Sequence, residues 1–128
     1  MAEAGKRVLV VDDAALVRLY YRGALESHGY VVEEALNGLE ALEKISGAAF
    51  DLLVVDVNMP QMDGLTFVAK LRSLALPVAA TPVLITSTES GPQDFAAARV
   101  AGANFYVTKP VTPEQLVALA AMLCGIAA

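Results

Sequence analysis

Five short apolar runs, each followed by a stretch of helical periodicity, leave this chain few ways to fold. Residues 6–12 (KRVLVVD), 30–35 (YVVEEA), 51–56 (DLLVVD), 81–87 (TPVLITS) and 104–108 (NFYVT) read as strands, short and rich in β-branched residues. After the first, Val17, Tyr20, Tyr21, Ala24 and Leu25 recur at i, i+3, i+4, i+7 and i+8, the stripe of a helix packed on one face. Gly29 stands where a helix-ending glycine belongs. Asn37 is placed to cap a second helix running to Ser46. Residues 64–74 carry Leu65, Val68, Leu71 and Arg72 in phase, and residues 92–101 form an alanine-rich helix closed by Gly102. Residues 112–115 (TPEQ) form a capping box with proline at the first helical position and open the last helix. Pro82 sits at the start of the fourth strand, where a missing N–H is tolerated. Continuous apolar strands alternating with helices imply a parallel sheet covered on both faces. Right-handed crossovers make it a doubly wound α/β domain.

The bulk numbers exclude several classes of function. The 128 residues make one domain of ordinary size, and 56% hydrophobic against 18% charged is too apolar for disorder. No apolar run reaches the ~20 residues of a membrane-spanning helix; residues 116–128 come nearest and are too few. The N-terminus lacks the basic-then-apolar layout of a signal peptide, so the expected compartment is the cytoplasm, with no membrane insertion. Net charge is −5 and no basic run exceeds Lys6–Arg7, which argues against nucleic-acid binding. A single cysteine, Cys124, and a single histidine, His28, support neither an internal disulfide nor a zinc site.

Doubly wound sheets bind ligands beyond the carboxyl ends of their strands. Here strand 1 ends in Asp12 and Asp13, strand 3 in Asp56, strand 4 in Thr86 and Ser87, and strand 5 leads into Lys109 and Pro110. One edge thus gathers three carboxylates, a hydroxyl and an ammonium. Carboxylates this close repel one another, and a hard divalent cation such as Mg²⁺ relieves the conflict. Lys109 and a serine hydroxyl could meet further phosphate oxygens. The set looks built to receive a phosphoryl group on Asp56.

Each residue also has a plainer reading. Asp12 or Asp13 could cap the first helix, and Asp63 reads as a cap rather than a ligand. Lys109 alone would pass for a solvated loop lysine, and Tyr106 for a core aromatic. Tyr20 and Tyr21 read as packing, His28 as a helix-end residue and Cys124 as a small apolar side chain. The specific signal is the combination at four strand ends.

The stretches "VLVVDD", "DLLVVDVNMPQMDG", "PVLITSTES" and "GANFYVTKP" resemble the receiver domain of two-component response regulators, over essentially the whole chain. They are most similar to its single-domain chemotaxis members. The resemblance implies a flavodoxin-like (βα)5 fold with a five-stranded parallel sheet in the order 2-1-3-4-5, and residues 1–128 as a single receiver domain with no output domain. It implies that Asp56 accepts a phosphoryl group from a histidine kinase or phosphotransfer protein. Mg²⁺ would be held by Asp13, Asp56 and the backbone carbonyl of Asn58, with Asp12 helping through a water. Lys109 would pair with the phosphoryl group, ahead of a cis bond to Pro110. Ser87 and Tyr106 would move together as the switch, changing the surface of helix 4, strand 5 and helix 5 for a downstream target, the flagellar motor switch being one candidate. Asn58 and Glu89 would tune loss of the phosphoryl group. Thr88, where the family usually has Ala or Gly, would narrow access to Asp56. Alternation puts Thr86 and Ser87 on opposite faces, so only one can serve as the switch.

The resulting expectation is a signalling switch that catalyses its own phosphorylation and dephosphorylation, in chemotaxis or a related pathway. Alternatives are a phosphorelay intermediate, a phosphate sink, or a receiver-like module that is never phosphorylated. A dehalogenase-type phosphotransferase also uses a strand-end Asp with Mg²⁺, but needs a second acid two residues on, where this chain has Asn58. The last helix has no charged residue from Gln115 onward, which suggests either a softened helix end or a contact surface. The chain would then be a monomer or a weak dimer through that helix.

Overall fold

The computed structural model describes residues 5–125. Strands β1 (Arg7–Val11), β2 (Val31–Ala35), β3 (Leu52–Asp56), β4 (Val83–Ser87) and β5 (Phe105–Thr108) alternate with helices α1 (Ala15–Glu26), α2 (Gly38–Gly47), α3 (Gly64–Arg72), α4 (Pro92–Ala101) and α5 (Pro113–Leu123). The strands form one parallel sheet in the order β2-β1-β3-β4-β5, as expected.

The alternation of side chains along the strands divides the core in two. Leu9, Val11, Leu53, Val55, Val83 and Ile85 pack against Ala41 and Ile45 of α2, Phe67 of α3 and Ala98 of α4. Val8, Val10, Leu52, Val54 and Leu84 pack against Tyr21 and Leu25 of α1 and Leu116 and Ala120 of α5. β3 is buried at every position, so its backbone is fixed from both faces and Asp56 ends a rigid arm.

The caps follow the sequence. Asn37 accepts the Glu40 N–H, Asp63 the Thr66 N–H and Thr112 the Gln115 N–H. His28 Nδ1 lies 3.2 Å from the carbonyl oxygen of Ala24 at the end of α1, a helix-end contact. Gly102 closes α4 in the left-handed region at φ 111°.

Several sequence expectations shift. α1 stops at Glu26, and Gly29, with φ 88°, lies three residues past it. Tyr20 is 49% exposed, its ring beside that of Tyr21, while Tyr21 and Leu25 are the residues α1 buries. In α3 the buried positions are Gly64, Phe67, Val68 and Leu71; Leu65 is only half-buried, and the helix ends at Arg72. The Arg72 guanidinium works as a staple instead. It donates to the carbonyls of Gly102, Ala79 and Thr81 and to Asn104 Oδ1, at 2.7–2.9 Å. β4 starts at Val83 because Pro82 has no N–H to give the ladder. On α5, Leu116 and Ala120 face the core while Ala118 and Met122 are exposed; residues 126–128 of the expected contact surface lie outside the described residues.

Candidate functional site

The sheet brings Asp12, Asp13, Asp56 and Lys109 to one place. One carboxylate oxygen from each of the three acids lies within 4.8 Å of the others. Lys109 Nζ stands 2.9 Å from Asp56 Oδ1 and 3.1 Å from Asp12 Oδ2. It is therefore no solvated loop lysine: its side chain is largely buried and joins β5 to the ends of β1 and β3. The Lys109–Pro110 peptide is cis, as expected.

The three acids differ sharply. Asp12 is 1% exposed, and its Oδ1 accepts the N–H of Ala14, the N-cap residue of α1. It closes the turn into the helix without capping it in the usual N2 or N3 manner. Asp13 is exposed, and its carboxylate makes no hydrogen bond or ion pair among the described residues. Asp56 is 6% exposed. Burial, first, and repulsion from Asp12 and Asp13 hold its carboxyl above the ordinary value, against the pull of Lys109. Burial alone would push the Lys109 ammonium down, but its hydrogen bonds to Asp56 and Asp12 and their charges outweigh that and raise it. The site is thus under-neutralised, with three acids facing one amine. Its donors are all carboxylate oxygens, which fit a hard divalent cation.

Gly64 permits this geometry. Its N–H donates to the Val57 carbonyl at 2.9 Å, folding the start of α3 back against the end of β3. A Cβ at this position would fall 2.2 Å from the Asp56 carbonyl oxygen. Neither group can move without displacing a helix or a buried strand. Gly64→Ala is expected to destabilise the fold by about 1–3 kcal/mol, read as a lower urea midpoint. An unchanged midpoint would show that α3 can slide freely.

The two hydroxyls of β4 part company. Thr86 pairs in register with Asp56, on the side of α1, where its hydroxyl faces the buried phenol of Tyr21. Ser87 is fully buried, pairs in register with Thr108, and its Oγ accepts the Glu89 N–H at 3.0 Å. Tyr106, half-buried and edge-on to Phe95, donates its hydroxyl to the Glu89 carbonyl at 2.7 Å. The turn between β4 and α4 is therefore gripped by Ser87 from one end and Tyr106 from the other. Asn58 and Glu89 are exposed at the rim. Thr88, also exposed, lines a groove of about 440 Å³ with Val17, Tyr20, Tyr21, Lys109, Pro110 and Val111. Asp63 takes no part in the cluster.

Sequence reasoning passed over Arg18. It lies one helical turn past the acidic pair and donates from Nη1 to the Asp12 carbonyl at 2.7 Å. The available signal was an arginine at the start of α1 ahead of a strand that carries two adjacent acids, Glu33 and Glu34.

A flavodoxin-like sheet with an acid cluster and a lysine at its carboxyl edge defines a doubly wound domain with its ligand site beyond the strand ends. The particular family follows from comparison: the sequence model described as the response regulator receiver domain matches residues 8–121, and the chain belongs to that family. It is 41% identical to response regulator MprA of Mycobacterium ulcerans (strain Agy99) over 112 residues, covering 88% of this chain and 47% of that protein. MprA of Mycobacterium avium (strain 104) is 40% identical, with 88% and 48% covered. The chain thus spans about half the length of these curated relatives. Among solved structures, the chemotaxis response regulator CheY4 of Vibrio cholerae superposes with a TM-score of 0.86 at 36% identity, covering 94% of this chain and 99% of that one. A putative response regulator from Chloroflexus aurantiacus J-10-fl gives 0.88 at 31%, with 94% and 98% covered.

Proposed function

We propose that this receiver domain of two-component signalling is switched by phosphorylation of Asp56. The observation that carries the reading is the placement of Asp56 on a buried strand, bonded to Lys109 and adjoining Asp12 and Asp13. An Asp56 carboxylate oxygen attacks the phosphorus of a phosphohistidine on a kinase or phosphotransfer partner. The bond from phosphorus to the imidazole nitrogen breaks as the new P–O bond forms, leaving an acyl phosphate on Asp56 and a free histidine. Water later cleaves that acyl phosphate, returning the carboxylate and inorganic phosphate. Lys109 exchanges its bond to Asp56 for one to a phosphoryl oxygen and offsets charge in the transition state. Asp13, Asp56 and the Asn58 carbonyl, with Asp12 behind them, would hold Mg²⁺, which would supply electrostatic stabilisation of the transferring oxygens.

The switch follows from the grip on the β4–α4 turn. If Ser87 turns its hydroxyl toward the phosphoryl group, it releases the Glu89 N–H. The turn can then move and free the Tyr106 hydroxyl from the Glu89 carbonyl, remodelling the surface of α4, β5 and α5. Asn58 and Glu89 at the rim are placed to meet the hydrolytic water. The likeness to the chemotaxis response regulator CheY4 favours a chemotaxis role, with the flagellar motor switch as one candidate target. The MprA relatives extend well beyond the matched region and support a response-regulator role.

The test is intact mass after incubation with acetyl phosphate. One phosphoryl group gained with Mg²⁺, and none with EDTA, is the expected result. No gain with acetyl phosphate or with phosphoimidazole overturns the reading. Thr88→Ala is expected to react a few-fold faster with acetyl phosphate, since Thr88 lines the same groove as Lys109. Equal rates would remove Thr88 as a gate.

A further inference from the structure

Asp12 is tied down at every polar atom it has. Its N–H donates to the Ala35 carbonyl at 3.1 Å, Oδ1 accepts from Ala14 N–H at 2.9 Å, and Oδ2 accepts from Lys109 at 3.1 Å. Its carbonyl accepts from Arg18 Nη1 at 2.7 Å. The Arg18 bond comes from a side chain only 11% exposed, whose Nε is held at 2.8 Å by Glu34 Oε1. The other oxygen of Glu34 accepts from Arg22 Nη1, also at 2.8 Å. Glu34 belongs to β2, pairs in register with Val10, and reaches α1 from the sheet edge. A planar guanidinium held on one side by a carboxylate and on the other by a peptide carbonyl has little freedom to turn.

This arrangement sets a cation beside a site that would itself hold a cation. By charge alone Arg18 opposes metal binding. Glu34 offsets that charge, and the geometry gives the arginine another use: it fixes the Asp12 peptide, and hence the direction in which the next residue, the otherwise unheld Asp13, leaves the turn. We propose that Arg18 is a positioning residue for the divalent-cation site, with Glu34 aiming and neutralising it. The inference rests on the reading that the acid cluster takes Mg²⁺.

The test uses the full chain and Mg²⁺ alone, titrated calorimetrically, together with amide exchange at residues 12–14 in the metal-free protein and a urea midpoint for each variant. Arg18→Met is expected to bind Mg²⁺ about tenfold more weakly, in the usual range for groups that orient metal ligands, and to exchange those amides faster. Arg18→Lys falls between. Glu34→Gln weakens binding when Arg18 is present and has little effect in the Arg18→Met background. Loss of a positive charge alone predicts tighter binding. A gain or no change in affinity in folded Arg18→Met therefore overturns the proposal. If Arg18→Met does not fold, unchanged affinity in both Arg18→Lys and Glu34→Gln overturns it instead. A wild-type chain that binds no Mg²⁺ defeats the parent reading; a wild type that binds, beside a folded Arg18→Met of equal affinity, defeats this inference alone.

Discussion

Asp56→Asn abolishes the gain of phosphate and raises the melting temperature of the metal-free protein at neutral pH. The first effect removes the nucleophile. The second follows from where the carboxylate sits. Burial and two neighbouring acids raise the Asp56 pKa despite Lys109, so the folded state holds that proton more tightly than the unfolded chain does. Below the ordinary carboxylate range the group is protonated in both states and costs nothing. As pH rises through the ordinary value and then the raised one, the metal-free fold loses stability, and the loss persists above. The amide that replaces the carboxylate carries no charge to bury. Lys109 keeps its partner in Asp12 at 3.1 Å, so the substitution strands no cation. The melting temperatures of wild type and variant should converge in acid and separate toward neutral pH, and Mg²⁺ should narrow the gap by neutralising the wild-type cluster. A wild type more stable than Asp56→Asn at neutral pH in EDTA would mean that the Lys109 ion pair outweighs the burial and repulsion.

Much of this site is legible before folding, for a physical reason. Parallel strands buried on both faces are written as unbroken apolar runs, so a charged residue at the end of one marks the sheet edge directly. Asp56 after LLVV, Asp12 after VLVV and Lys109 after FYVT all announce themselves this way. What stays hidden depends on pairings between distant elements. Asp12 and Asp13 are chemically identical and adjacent; burial and the bond from Lys109, 97 residues on, help set the locked acid apart from the open one. Arg18 looks like an ordinary surface arginine of α1 until β2 delivers Glu34 to it. Tyr20 and Tyr21 share a helical stripe, and neighbours about 100° apart on a helix cannot be told apart when the stripe's edge is unknown. The two hydroxyls of β4 were separable by alternation. It is the register that sets Thr86 opposite Asp56 and Ser87 opposite Thr108, giving the first to the Tyr21 side and the second to the turn that Tyr106 holds.

Lys109→Met tests the other half of the charge balance, and it should slow phosphorylation while leaving the nucleophile in place. Among the described residues, Lys109 alone forms ion pairs with Asp12 and Asp56. Methionine keeps the length of the side chain and its packing beside Pro110 and Val111 but leaves three acids with no cation between them. Two consequences follow with separate readouts. Phosphorylation by acetyl phosphate in saturating Mg²⁺ should slow by about 10²–10³, the usual loss when one preorganised charge-stabilising donor is removed. In EDTA, the fold should weaken at neutral pH and recover as pH falls through the raised range of Asp56, because protonating one acid relieves the repulsion that Lys109 had offset. The Lys109 ammonium is itself raised by its acids, so the stability it contributes is present throughout the neutral range and is lost only above the ordinary lysine value. Mg²⁺ should restore much of the lost stability but little of the rate, since an ion held by Asp13 and Asp56 neutralises the carboxylates without occupying the place of the ammonium. A variant whose rate recovers along with its stability would show that Lys109 acts only as a structural counter-ion.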